Sequence, residues 1–246
     1  MINLPLDEVH IWWAPQPSTL SPELETMLSR DECDRAARFQ FAEHRLAYQF
    51  AHAILRDLLS RYLHCTPRDI RFEKNAFGKP FLHEREGFGP LEFNLSHAGS
   101  MVLIGVCRGR RIGIDVEKIR PIKDISAIAE SNFTPRERAF IFQQHPSEQD
   151  KAFLRCWTRK EASVKAVGKG LSIPLNSFDT LISDGLPVGL PEGGPGSLDD
   201  TIWQLSDLDL PEGYVAALAV ESRISRLVYQ EWHTNETNER ERQPST

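Results

Sequence analysis

A chain of 246 residues, 40% hydrophobic and 26% charged, is long enough for one large domain or two small ones that share a core. Its formal net charge of −6 at pH 7 argues against a nucleic-acid binder, which needs a basic field on its surface. Cys33, Cys65, Cys107 and Cys156 form no CxxC pair and no cysteine–histidine ligand spacing, which speaks against a zinc site or a disulfide framework.

The opening MINLPLDEVH has neither a basic n-region nor an apolar h-region, and apolar runs such as MVLIGVC (101–107) are too short to span a bilayer. The expectation is a soluble, cytoplasmic protein without a membrane partner. VHIWWA (9–14) predicts a first strand, and Ser21-Pro22-Glu23 opens a helix with an N-cap serine and proline in the first turn. Ser29 followed by Glu32 is a capping box for the next helix, DECDRAARF. Leu46, Phe50, Ile54, Leu58, Leu59 and Tyr62 recur at three- and four-residue steps, predicting a long helix over 43–63 that Thr66-Pro67 stops. Short strands follow at IRFE, KPFLH, LEFNLSHAGSMVLIGVC and RIGIDVEKI (111–119), punctuated by glycines. Thr134-Pro135-Arg136-Glu137 starts another helix, and 150–167 reads as a long helix ended by Gly168. Eight Gly or Pro within 185–196 predict a surface loop, IWQLSDL and YVAALAV a closing antiparallel hairpin, and the polar last fourteen residues a disordered tail.

Two segments carry charge that a fold must account for. In RIGIDVEKI, period-2 alternation puts Asp115 and Glu117 on one strand face, where like charges repel. In CWTRKEASVKAVGKGLSIPL (156–175), Trp157, Glu161 and Lys165 stack along one helical stripe, with Lys160 beside it. Alone, each has an ordinary explanation: surface arginines such as Arg110, Arg111 or Arg120 for the strand, a solvated ion pair for the helix. Together, two strand carboxylates and a third from a helix make an open site for a hard divalent cation, and Lys165 lies one turn on to neutralise phosphate oxygens. Ser96 and His97 in FNLSHAG are neighbours on an extended segment and point apart, so they form no dyad with each other; His97 reads as an anion donor or as a core histidine satisfied by backbone. AVGKGL lacks the first glycine and the final Ser/Thr of a phosphate-binding loop, and HEREG lacks the second histidine of a zinc-peptidase motif.

FGKP (77–80), FNLSHAG (93–99), GIDVEKI, FTPRE and WTRKEASVKAVGKGLSIPL, in this order, resemble the 4′-phosphopantetheinyl transferases of the single-chain, surfactin-synthetase-activating (Sfp) type. The resemblance covers about residues 30–220. It implies an α+β fold of two pseudo-symmetric halves, each a long helix on a small, mostly antiparallel sheet, with the site in the cleft between them. The halves would be 1–110 and 111–233, followed by the tail 234–246. It implies Mg²⁺ as cofactor, coenzyme A as substrate and a serine of an apo acyl- or peptidyl-carrier protein as acceptor, with release of adenosine 3′,5′-bisphosphate by a monomer. By position, Asp115, Glu117 and Glu161 resemble the metal ligands, Glu117 directly or through water. Glu161 and Lys165 resemble the catalytic pair, with Glu161 or a metal-bound water as the base. Arg45, Lys79, Ser96, His97 and Lys165 resemble coenzyme contacts. Glu32 and Arg35 stand where some relatives have two lysines, so Arg35, Arg38 or Arg45 are the candidates to hold the 3′-phosphate. The carrier would meet 118–145, through Ile119, Phe133 and Phe140 beside Lys118, Arg120 and Lys123. The competing functions are a non-catalytic coenzyme A-binding module and a Mg-dependent pyrophosphohydrolase.

Overall fold

The computed structural model describes residues 2–83, 90–181 and 203–233. The loop expected at 185–196 and the tail at 234–246 lie outside the described residues. Strand β1 spans Glu8–Pro15, followed by helices α1 (Pro22–Met27), α2 (Arg30–Ala36) and α3 (Ala42–Leu63). Both short helices start as their caps dictate: Ser21 Oγ accepts from the Leu24 N–H, and Ser29 and Glu32 exchange side-chain and backbone hydrogen bonds. Helix α3 stops earlier than Pro67 requires, because His64 turns left-handed (φ 51°) and its N–H caps the Ser60 carbonyl. A two-stranded hairpin follows, β2 (Phe72–Lys74) and β3 (Pro80–Leu82), then β4 (Leu91–Ala98), β5 (Met101–Arg108) and β6 (Ile112–Lys118). Helices α4 (Ile125–Asn132), α5 (Pro135–Phe142) and α6 (Gln149–Val167) precede β7 (Trp203–Asp207), β8 (Tyr214–Glu221) and β9 (Arg226–Glu231). None of the helices is long and apolar enough to cross a membrane among the described residues.

Besides the β2-β3 hairpin, the described residues form two sheets, ordered β4-β5-β1-β9 and β6-β8-β7. All their pairings are antiparallel except β1 with β9. They stack face to face between two helical layers. Helix α3 packs Phe50, Ile54 and Leu58 against Trp12, Phe93, Val102, Ile104 and Val106 on one face of the first sheet. The other face, with Ile11 and Leu103, meets Ile112, Ile114, Leu218 and Val220 of the second sheet. This explains the unbroken apolar run of β5: it is central in its sheet and covered on both sides. On the far side of the second sheet, Ala217 and Ala219 of β8 pack against Ala162 and Ala166 of α6.

The small residues under α6 set how close the helix comes. A Cβ on Gly113 would lie 2.1 Å from the Ala162 carbonyl oxygen and 2.3 Å from the Ala166 nitrogen, both backbone atoms that cannot swing aside. Gly113→Ala is therefore expected to force α6 off β6 and to cost about 3 kcal/mol or more. Urea unfolding checks this; an unchanged midpoint would show that the helix can retreat freely.

The C-terminal part of the chain crosses over. Residues 226–231, expected in the second half and not read as a strand, form β9, which pairs in parallel with β1 of the first sheet, from Glu8↔Arg226 to Trp13↔Glu231. Trp232 then enters the α3 core, edge-on to Phe50, and its Nε1–H donates to Asp57 Oδ2 at 2.7 Å. The halves are thus interlocked rather than consecutive.

Candidate active site at the seam between the sheets

Strands β4 and β6 are edges of different sheets, yet they meet side by side. A strand edge exposes N–H groups that must be satisfied when buried. Here the side chains of Asn94 and Ser96, on one face of β4, do so. Asn94 Oδ1 accepts from Ile114 N–H at 2.8 Å, and Ser96 Oγ accepts from Val116 N–H at 3.4 Å. The rungs share the strand period of two, so FNLSH is registered against GIDVE.

That register turns Gly113, Asp115 and Glu117 toward α6. Asp115 is buried; its Oδ1 accepts from Ser96 Oγ at 2.9 Å and from Lys165 Nζ at 2.7 Å. Lys165 also donates to Ser96 Oγ at 3.1 Å. Three side chains from β4, β6 and α6 thereby form one junction. Glu161, one helical turn before Lys165, is half-buried, and its pKa is raised by burial and then by the Asp115 charge, with Lys165 opposing. Glu117 is raised by burial and by Asp115, with a smaller contribution from Glu161.

The expected three-carboxylate ligand set is not assembled. Among the described residues no three His, Cys, Asp or Glu side chains are placed to hold one metal ion. Asp115, Glu117 and Glu161 repel one another, and in the polypeptide alone the Lys165 ammonium is the counterion of Asp115. The donors still suit Mg²⁺, a hard ion commonly held by one or two carboxylates together with substrate phosphates. Asp115 Oδ2 is a buried oxygen with no hydrogen-bond partner, and an anionic oxygen in that condition calls for a cation.

His97, at the end of β4, is exposed. Its pKa is nonetheless lowered, by desolvation first and then by Lys165 and His52, with His44 adding a smaller part and Asp115 opposing. Imidazole and ammonium groups from β4, α3 and α6 therefore lie close enough to act on one another. Sequence reasoning passed over His44 and His52; the signal available was their spacing with Tyr48 at four-residue steps on α3. Arg45 is exposed on the first turn of α3 beside His44. Glu32 is no phosphate ligand. It is buried, bonded to Arg56 Nε at 2.6 Å and His52 Nδ1 at 3.1 Å, and held at a pKa of about 2 by these partners against the opposing effect of burial. It thereby orients the His52 ring, whose centre lies 4.1 Å from that of Tyr48, while the Arg35 guanidinium sits over the Tyr48 ring, 5.4 Å from its centre.

Two expected coenzyme contacts have other partners. Lys79 Nζ donates to the carbonyls of Ile112 (2.9 Å) and Ala166 (3.2 Å), and burial lowers its pKa to about 8. Asn75 builds the FGKP turn, accepting from the Phe77 and Lys79 N–H groups while its Nδ2 donates to the Gly168 carbonyl. The turn is thus clamped onto the C-terminus of α6, whose free carbonyls need donors. Ser96 likewise is a buried tie to Asp115 rather than an exposed hydroxyl.

The FTPRE and WTRKE motifs meet away from this site. Lys160 and Glu137 are both fully buried and paired at 2.8 Å. Glu137 also accepts from Thr134 N–H and from the backbone and hydroxyl of Thr180; Lys160 also donates to the Leu175 and Phe178 carbonyls. Every donor and acceptor is used, so the pair bolts α5 to α6. Phe133, expected to face a carrier, is 1% exposed and packs against Phe153 and Trp157.

The family described as "4′-phosphopantetheinyl transferase, N-terminal" matches residues 12–108, and the "4′-phosphopantetheinyl transferase superfamily" matches residues 111–219. The chain is 37% identical to the 4′-phosphopantetheinyl transferase HetI of Nostoc sp. over 221 residues, covering 89% of this chain and 90% of that protein. It is 35% identical to the 4′-phosphopantetheinyl transferase ffp of Bacillus subtilis, covering 69% and 79% of the two chains. With the 4′-phosphopantetheinyl transferase Sfp of Bacillus subtilis (strain 168) the identity is 31%, covering 68% and 73%.

Proposed function

The chain belongs to the 4′-phosphopantetheinyl transferase superfamily, and from that premise we propose that it moves the phosphopantetheine arm of coenzyme A onto a serine of an apo acyl- or peptidyl-carrier protein. In the reaction the serine oxygen forms a bond to the phosphorus that carries the pantetheine, the bond from that phosphorus to the bridging oxygen breaks, and adenosine 3′,5′-bisphosphate leaves. The observation that carries the assignment of the site is the meeting of Asp115, Lys165 and Ser96, from three distant stretches, beside Glu161.

Asp115 and Glu161, with Glu117, would hold Mg²⁺, which when bound supplies positive charge to the pyrophosphate oxygens. Lys165 adds a second positive charge, its flexible stem letting the ammonium pass from Asp115 to a phosphate oxygen. Glu161 is the side chain placed to take the serine proton, and in the polypeptide alone burial and the Asp115 charge raise its pKa while Lys165 opposes. His97, with His44, His52 and Arg45 along α3, faces the 3′-phosphate of the nucleotide. Both sheets and all these groups come from one chain, which supports a monomer.

Incubation with coenzyme A and Mg²⁺, with and without an apo-carrier protein, tests the reading. A transferase turns over only with the carrier, which gains the mass of the phosphopantetheine arm. Pyrophosphate cleavage without carrier would identify a hydrolase instead, and binding without turnover a coenzyme-binding module. His97→Ala is expected to raise the KM for coenzyme A about tenfold, the worth of one hydrogen bond to a charged group, with little change for 3′-dephospho-coenzyme A. Equal losses on both would remove His97 from the 3′-phosphate.

A further inference from the structure

We propose that Ser96 is a positioning residue for the metal-binding carboxylate: it fixes one oxygen of Asp115 and leaves the other free to ligate. This rests on the reading above in taking Asp115 as a metal ligand. A hydroxyl has one proton to donate and two lone pairs to accept with. The Ser96 proton goes to Asp115 Oδ1 at 2.9 Å, and its oxygen accepts from Val116 N–H at 3.4 Å and Lys165 Nζ at 3.1 Å. Its capacity is filled within the junction.

The consequence falls on the far oxygen. With Oδ1 held by the Ser96 hydroxyl, rotation of the carboxylate is restrained even when Lys165 turns to a phosphate, and Oδ2 is left buried without a hydrogen-bond partner. One oxygen committed and one aimed is how a neighbouring group orients a metal ligand. Asn94, two residues earlier, keeps the strands in the register this needs by accepting from Ile114 N–H at 2.8 Å.

The test is a calorimetric titration of Mg²⁺ into the full chain with coenzyme A bound and no carrier present. Ser96→Ala is expected to weaken Mg²⁺ binding by about 10–100-fold, as loss of a ligand-orienting partner does. Ser96→Thr, which keeps the hydroxyl on a residue suited to a strand, should restore Mg²⁺ affinity to within a few fold of the parent. Should the alanine variant not fold, Ser96→Cys replaces it, with at least about tenfold weakening expected because a thiol donates poorly. Parental Mg²⁺ affinity in the hydroxyl-free variant, or a loss confined to coenzyme A binding, overturns the inference alone. A parent chain that binds coenzyme A but no Mg²⁺ overturns the metal assignment and this inference with it.

Discussion

Asp115→Asn and Glu161→Gln should fold as well as the parent chain and lose carrier modification by about three orders of magnitude, the rate equivalent of several kcal/mol of charge stabilisation. Folding should survive because both amides keep their hydrogen-bonding oxygens, although Asp115→Asn gives up the ion pair with Lys165. Glu161 is destabilised as an anion by burial and by Asp115, so its neutral amide relieves repulsion. Asparagine at 115 keeps an oxygen for the Ser96 hydroxyl and for Lys165, the two partners of Oδ1. Catalysis should fail because the amides supply neither a charged ligand nor, at 161, a base. Thermal unfolding and mass spectrometry of the carrier measure the two effects separately. Turnover near the parent's in either variant would end the assignment of this site as the reaction centre.

Lys160→Met should show the opposite profile, a loss of stability of about 3–5 kcal/mol. Glu137 and Lys160 are both 0% exposed, so deleting one partner leaves the other charged group, or its displaced proton, uncompensated in the interior. Glu137 would keep its hydrogen bonds from Thr134 and Thr180 but lose its counter-charge. Replacing both residues with apolar ones of similar volume should recover part of the loss, since a buried pair contributes little beyond the penalty it avoids. Urea unfolding of the single and double variants checks this. A single variant with the parent's midpoint would show that the pair does not secure α5 to α6.

Much of the fold is legible in local pattern. The capping boxes at Ser29/Glu32 and Thr134/Glu137 name their helices because the groups that bond lie three residues apart. The two long helices follow from apolar spacing and the β4–β5 hairpin from two apolar runs around Gly99. Strand β9 is different: RLVYQE is short and half exposed, and its partner β1 lies more than 200 residues away in the chain. Nothing within six residues specifies a pairing of that range. The site divides in the same manner. Alternation puts Asp115 and Glu117 on one face and helical spacing puts Glu161 beside Lys165, both from the backbone alone. The expectation that Lys79 and Ser96 meet the coenzyme came from motif resemblance, and their hydrogen bonds go elsewhere.

By itself, then, the sequence determined most of the elements, the faces on which the charged groups stand, and the family through its ordered motifs. Tertiary structure alone decided which polar atoms pair: Ser96 with Asp115, Lys79 with the end of α6, Glu137 with Lys160. The reason is physical. Periodicity is a property of a single backbone segment, whereas a buried donor or acceptor takes whichever partner the packing of remote segments brings within about 3 Å.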